Sequence, residues 1–379
     1  MKIALITNSR IPSLTANSIQ AMKVAQALMQ LNYDVKMFAP KETDAMTHDL
    51  LLAHYGLRLV PDLKLLPSIR QFKRLDFALR AHNSAKKFGA DLIYTWLPQS
   101  ALIGIKAGYP TVLEMHADIT GKMGAWWLRQ FWKSKGTQLT TVTTSALKNV
   151  LETTTKLKLS PEALLIAPNG VELERYQNLP SPSEAHKQLN LEDKLTVGFT
   201  GHIYPGRGAD LLFELAKQMP QVNFLWVGGT ADLVNFWRNK LSEAKVTNAT
   251  MTGFVKHENI PLYQAAADIL LMPYSNSIST SSGQDIAEVI NPMKMFEYMA
   301  SGRAIVSADL PVIREVLNEN NAVLIGELGN ERIGKWKVEI EKLLADESLR
   351  LRLGNQAQKD VTKFSWVKRQ EKVMAKIMK

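Results

Sequence analysis

In the run Asn291-Pro-Met-Lys294-Met-Phe-Glu297-Tyr-Met-Ala-Ser-Gly302, a cation and a carboxylate stand three residues apart on what reads as a helix, so they share a face. Asn291 is placed to cap that helix, and Pro292 suits a first turn, where a missing N–H costs little. Gly302 can supply the left-handed stop. An uncovered helix N-terminus offers backbone N–H groups and partial positive charge to a phosphate. Lys294 and Glu297 at that end can hold a phosphate and a sugar hydroxyl together. The plainer reading is a capped core helix with Lys294 and Glu297 as a surface ion pair.

Three other stretches carry residue types suited to chemistry. Gly198-Phe-Thr-Gly201-His202-Ile-Tyr-Pro-Gly206-Arg207-Gly208 reads as a strand entering a glycine-rich loop that opens a helix. Glycines let backbone approach an anion closely, and Arg207 can contact a diphosphate in bidentate fashion. Glu114-Met-His116-Ala-Asp118 follows an apolar strand, where a neutral histidine can donate a hydrogen bond to a sugar hydroxyl. Glu114 shares a strand face with His116 and can orient it. The loop Thr7–Ser18, rich in Ser and Asn, suits a hydroxyl-rich acceptor, with Asn17 and Ser18 as its candidate contacts. That loop has no glycine and so lacks the dinucleotide fingerprint of an NAD enzyme.

These residues need a scaffold, and the chain shows one. Apolar strand-like runs at Ile3–Thr7, Val35–Ala39, Asp91–Thr95, Thr111–Met115 and Leu164–Ala167 alternate with amphipathic stretches. The pattern restarts after Lys194 with Leu195–Thr200, Val222–Val227, Ile269–Met272, Ala304–Ser307 and Ala322–Ile325. Such alternation predicts parallel sheets covered by helices, with ligands at the carboxyl ends of the strands. Leu179-Pro-Ser-Pro-Ser-Glu, between the two series, reads as a linker. The stretch Lys122–Lys135 interleaves Trp126, Trp127, Phe131 and Trp132 with cations, which suits either a membrane interface or a helix packing its rings inward.

A chain of 379 residues, 46% of them hydrophobic, fits two domains with two cores. It contains no cysteine, which excludes disulfides and thiolate metal sites and fits the cytoplasm. No apolar run reaches membrane-spanning length, and the first residues read as a strand rather than a signal peptide. The net charge of +10 is uneven: +9 in residues 1–180, −4 in 181–360 and +5 in 361–379. If the final basic helix joins the first lobe, that lobe should be drawn to anionic surfaces, including a membrane's inner face; the plainer reading is an ordinary solvated lysine-rich surface. No nucleic-acid recognition module is visible.

Taken in order, these motifs resemble the group 1 (family 4) glycosyltransferases of the GT-B fold over essentially the whole chain. Pro168-Asn169-Gly170-Val171 and Gly253-Phe254-Val255, followed by Pro261, Tyr263 and Ala267-Asp268, add to the match. The resemblance implies an α/β protein of two Rossmann-like, doubly wound parallel-sheet domains facing a central cleft. It places an acceptor-binding domain at 1–178, a linker at 179–193, a nucleotide-sugar domain at 194–360, and a helix at 361–379 returning to the first domain. It implies that Glu297 binds the ribose, and that Gly201, His202, Arg207, Gly208, Phe254, Asn291 and Lys294 line the donor site. His116, Arg207 and Lys294 are the implied catalytic groups. Two positions depart from the family pattern. His202 stands where an arginine is usual, and Val289 replaces the first acid of a paired motif, with Asp285 and Glu288 out of register. The second departure leaves backbone amides of Ser279–Asn291 to hold the donor sugar.

The implied activity is a retaining, metal-independent transfer of a sugar from a nucleoside diphosphate to a hydroxyl on a lipid-linked or polysaccharide acceptor. The nucleotide-sugar is then a co-substrate, with no cofactor and no metal site. A nucleotide-sugar epimerase of the same fold, or a non-catalytic nucleotide-sugar-binding partner in glycan assembly, are the alternatives.

Overall fold

A computed structural model describes residues 1–379 except 43–45, 73, 120, 279–284 and 327–330. The chain divides into two compact units. Unit 1 comprises Met1–Asn169 and Trp366–Lys379, and unit 2 comprises Gly170–Ser365.

Unit 1 is built on a seven-stranded sheet in the order β3-β2-β1-β4-β5-β6-β7. Its strands are β1 (Lys2–Ile6), β2 (Asp34–Pro40), β3 (Asp62–Leu66), β4 (Leu92–Thr95), β5 (Thr111–Met115), β6 (Gln138–Val142) and β7 (Leu164–Ile166). Every pairing is parallel. Helices cover both faces, so the central strands β1, β4 and β5 are buried almost throughout. That double burial is why they read as continuous apolar runs rather than alternating ones. Strand order reverses between β1 and β4, the place where loops at the carboxyl ends splay apart and leave room for a ligand.

Unit 2 repeats the plan with six parallel strands in the order β10-β9-β8-β11-β12-β13. They are β8 (Thr196–Thr200), β9 (Asn223–Val227), β10 (Ala249–Gly253), β11 (Ile269–Met272), β12 (Ala304–Ala308) and β13 (Val323–Ile325). Its reversal lies between β8 and β11, beside the glycine-rich loop that leaves β8.

The unit boundary falls at Asn169/Gly170, earlier than the Pro/Ser stretch read as a linker. Residues within 179–193 instead form the helix Pro182–Leu189, which packs in unit 2. Ser181 and Glu184 close a reciprocal capping box at its start, and Pro182 occupies the first turn, so the residues that suggested a linker are helix-start signals.

The helix Trp366–Ile377 packs against the helix Ala16–Gln30 within unit 1, burying Trp366, Val373, Met374 and Ile377. Among the described residues, no helix is long and apolar enough to cross a membrane.

Candidate functional site

The helix Met293–Ser301 starts at Pro292, and no side chain caps it. Asn291, expected as the cap, lies one position earlier and is buried. Proline at the cap position has no hydroxyl or carboxamide to turn back on the first-turn N–H groups, so no side chain of the helix's own cap occupies them. Gly302, at φ 68, supplies the left-handed stop.

Lys294 is the second residue of this helix and is only 8% exposed. Its Nζ lies 3.8 Å from the centroid of the Phe199 ring and 5.8 Å from that of Tyr274. It has no hydrogen-bond partner, which overturns the reading of Lys294 as half of a surface ion pair. Burial, and next the charge of Arg207, push its ammonium well below the ordinary lysine range, while Glu297 pulls the other way. Arg207 sits with its guanidinium 5.8 Å over the Tyr204 ring, and its buried Nε is also without a hydrogen-bond partner. Two cations thus stand near an uncapped helix end, one of them desolvated. Burying an unbonded cation is costly, and an anion held between two such cations would offset that cost.

The loop from β8 explains its own glycines. Gly201, Gly206 and Gly208 all have positive φ. A Cβ on Gly206 would lie 1.9 Å from the Ser277 carbonyl oxygen, and one on Gly208 would lie 2.3 Å from Pro273. Ser275 N–H donates to the Gly206 carbonyl at 3.0 Å. The expectation was that glycine lets the loop approach a ligand. At these two positions the close approach is to the protein's own chain after β11. Gly201 alone faces the site, where a Cβ would come within 2.8 Å of Lys294 Nζ. His202 stacks on Tyr204, with ring centroids 5.0 Å apart. Phe254 follows Gly253 at the end of β10 and is 54% exposed.

Glu297 lies one turn along from Lys294. His257 Nε2 is 3.4 Å from its Oε1, and Gln264 Nε2 is 3.5 Å from its Oε2. Arg175 donates to His257 Nδ1 at 2.8 Å. A guanidinium only donates, so Nδ1 is the acceptor and Nε2 carries the hydrogen that points at Glu297. Tyr176 O–H donates to Gln264 Oε1 at 2.9 Å. Burial, with the Glu297 charge next, raises that phenol well above its ordinary value. The carboxylate is therefore aimed by residues from three separate segments. Val289 is buried, as an apolar residue in place of an acid should be. Asp285 is spent on the backbone N–H groups of Ile278 and Ala287, and Glu288 is exposed. The proposed sugar-binding stretch Ser279–Asn291 lies partly outside the described residues.

In unit 1, His116 follows β5 directly. Its Nε2 is 2.6 Å from Glu114 Oε1. Glu114 is wholly buried; burial works against its charge, but the Arg369 guanidinium, with His116 and Tyr94 adding to it, holds its carboxyl at about 2. With Nε2–H donated to an ionised carboxylate, a neutral His116 presents Nδ1 as an acceptor, not the donor expected from the sequence. Asp118 accepts from Ile119 N–H at 2.7 Å and from the Thr154 hydroxyl at 3.1 Å, so it ties the loop after β5. Asn17 is exposed in the first turn of the Ala16–Gln30 helix. Ser18 is not available to an acceptor. It is 0% exposed, and its hydroxyl donates to the Ser13 and Thr15 carbonyls at 2.8 and 2.9 Å. In the helix Gly121–Trp132, Leu128 and Phe131 are buried, while Met123 and Trp126 are about half exposed.

Two family profiles tile the chain. One, described as Glycosyltransferase Family 4, matches residues 18–175, and the other, Glycosyl transferases group 1, matches residues 182–360. The chain belongs to the group 1, family 4 glycosyltransferases. Among curated relatives it is 30% identical over 157 residues to TuaH of Bacillus subtilis, named for teichuronic acid biosynthesis, covering 41% of this chain and 37% of that protein. It is 27% identical over 184 residues to the processive diacylglycerol alpha-glucosyltransferase of Acholeplasma laidlawii, covering 47% and 50%. The chain thus spans half or less of the length of these relatives. Among solved structures, HepE of Anabaena in complex with UDP superposes with a TM-score of 0.77 at 16% identity, covering 100% of both chains. A glycosyltransferase of Rickettsia africae gives 0.78 at 13% identity, covering 100% and 98%. These likenesses establish the GT-B fold.

In this group 1 family member, the residues that sequence reasoning missed are Arg175, His257, Gln264 and Arg369. Each lies in a segment with its own local role, and only the fold brings it to Glu297 or Glu114. The nearness of His257 to the Gly253-Phe254-Val255 motif was the single available hint.

Proposed function

We propose that this protein is a retaining glycosyltransferase that moves a sugar from a nucleoside diphosphate to a hydroxyl of a lipid-linked or polysaccharide acceptor, without a divalent metal. The observation that carries this reading is the buried Lys294 ammonium, unbonded and accompanied by Arg207 at an uncapped helix N-terminus. In this reading those three positive elements receive the diphosphate and stabilise its growing charge as it leaves. Glu297, aimed by His257 and Gln264, takes the ribose hydroxyls. Phe254 and Gly253 adjoin the base, and Gly201, His202, Gly208 and Asn291 border the phosphates and sugar. His116 accepts a hydrogen bond at Nδ1 from a hydroxyl of the transferred sugar, and Asn17 meets the acceptor. The bond from the anomeric carbon to the phosphate oxygen breaks as the acceptor oxygen bonds to that carbon on the same face. The acceptor's proton passes to the leaving phosphate oxygen.

HepE was crystallised with UDP and with UDP-glucose, so uridine donors come first in the test. The experiment is a thermal-shift screen with EDTA present against UDP-, GDP- and ADP-sugars, followed by transfer assays with the donor that binds. Ligand held by the native state raises the midpoint. His116→Ala should keep the shift and lose transfer. No shift with any nucleotide at millimolar concentration, or full transfer by His116→Ala, overturns the assignment.

The acceptor class draws on the diacylglycerol named in the Acholeplasma laidlawii relative and on charge. Unit 1 holds 26 Lys and Arg against 12 Asp and Glu, a net of +14; unit 2 holds 20 against 24, a net of −4. With Met123 and Trp126 exposed on one helix, unit 1 is suited to lie against an anionic bilayer. Co-sedimentation with phosphatidylglycerol vesicles should exceed that with neutral phosphatidylcholine vesicles at least tenfold and weaken with salt. Equal binding to both, or to neither, defeats this part of the proposal.

A further inference from the structure

The chemistry assigned to His116 depends on which of its ring nitrogens carries the hydrogen, and that choice is made by groups remote in sequence. Glu114 has 0% side-chain exposure, and its two oxygens are wholly engaged within unit 1. Oε1 accepts from His116 Nε2 at 2.6 Å, from Arg369 NH2 at 2.8 Å and from Gln20 Nε2. Oε2 accepts from Arg369 NH1 at 3.1 Å and from the Tyr94 hydroxyl. Gln20 is itself fixed by Trp96 Nε1, which donates to its Oε1 at 3.1 Å. Arg369 reaches this cluster from the Trp366–Ile377 helix, 255 residues away in sequence, and is buried beside it. Its Nε also donates to the Pro168 carbonyl at 3.0 Å, and NH2 to the Ala167 carbonyl at 3.1 Å.

We propose that Arg369 is a positioning residue for the transfer reaction: through Glu114 it fixes the tautomer and orientation of His116, keeping Nδ1 as the acceptor that faces substrate. This rests on the role given to His116 above. Arg369 contributes the one full positive charge in direct contact with both oxygens of a desolvated carboxylate. That charge keeps Glu114 ionised, and an ionised carboxylate only accepts. The hydrogen on His116 is therefore held at Nε2. Without the guanidinium, burial favours a neutral carboxylic acid, which donates as well as accepts. The Nε2 position can then become an acceptor, the ring hydrogen moves to Nδ1, and the face turned to substrate changes from acceptor to donor. Chain geometry alone does not demand a bidentate arginine here, because its two carbonyl contacts could brace the backbone without Glu114.

The test uses the full chain with 15N-labelled histidine, the His116 signals being identified by their loss in His116→Ala. The wild type should show the Nε2–H tautomer. Arg369→Met removes the charge beside Glu114, and Glu114→Gln keeps the shape but loses the charge of the carboxylate. Both should show His116 as a tautomer mixture or as Nδ1–H. The donor-induced thermal shift and donor KM should stay within about twofold while kcat falls about 100-fold, the direction a wrong imidazole tautomer gives in hydrolytic triads. If either folded variant keeps the wild-type tautomer and kcat, Arg369 only braces backbone and the proposal is wrong. If the tautomer changes and kcat does not, the positioning role is likewise lost. Full transfer by His116→Ala is the separate result that would overturn the functional reading itself.

Discussion

Replacing Lys294 with methionine should yield a protein that melts higher than the wild type and transfers no sugar. Methionine has nearly the length of lysine and no charge, so it fills the space over Phe199 and against Gly201 without a desolvated ammonium. The lost cation–π contact is worth ~1–2 kcal/mol, and the relief from burying an unbonded charge exceeds it. The expected gain is about 1 kcal/mol, or roughly 2–4 °C in the midpoint. Activity should fall about 10³-fold, the scale of removing one group that stabilises leaving-group charge.

The pH dependence of the Lys294→Met comparison has a defined sign. Folding depresses the lysine's affinity for its proton below the ordinary value of 10.5. The penalty is complete below the folded value, shrinks as pH rises, and is gone above the ordinary one. The stability gap between Lys294→Met and wild type should therefore narrow as pH is raised from about 7 toward 10. A bound diphosphate restores the proton's favour, so nucleotide binding should take up protons, measurable by calorimetry in buffers of different ionisation enthalpy. A methionine variant that melts lower than the wild type, or still shifts with nucleotide, would remove the central argument for the phosphate site.

The second large effect is on stability. Glu114→Ala leaves Arg369 buried with no carboxylate and strips Gln20, Tyr94 and His116 of their common acceptor. Breaking a buried pair from one side costs about 3–5 kcal/mol. Adding Arg369→Met to Glu114→Ala should recover much of that loss, giving strong coupling in a double-mutant cycle followed by urea unfolding. Glu114 has its carboxyl lowered from 4.5 to about 2, so its contribution is present above the ordinary value and is lost as pH falls through the folded one. The advantage of wild type over the double variant should shrink between about pH 5 and pH 2. Additive single effects would show that the pair does not act as a unit.

The parallel-sheet plan was legible because strands buried on both faces are written as unbroken apolar runs, as in Ile3–Thr7 and Ile269–Met272. Strands β3, β6 and β10 carry weaker signals. The first lies at an edge with alternating exposure, and the other two are threonine-rich. Lys294 and Glu297 were legible as a pair because helical spacing alone puts them on one face, and Gly302 because few residues other than glycine tolerate its φ. Asn291 misled because capping propensity is local, and the chain enters the helix one residue later than its best cap. Ser18 misled for a related reason: a serine near a helix start serves its own turn. Nothing near Glu114 in sequence announces Arg369, and nothing near Glu297 announces Arg175. Such partners are chosen by topology, which a linear reading samples only through the strand pattern.

Unit 1 is assembled from two separated stretches of chain, with all of unit 2 synthesised between them. During translation, a folding sheet β1–β7 has the site for Trp366, Val373 and Ile377 open, and Glu114 has no Arg369 until residues 366–379 leave the ribosome. Gly170–Ser365 has no such dependence. The order in which the units can be completed is thus opposite to the order in which they begin, and the carboxylate beside His116 waits for its counter-charge until all of unit 2 has been made.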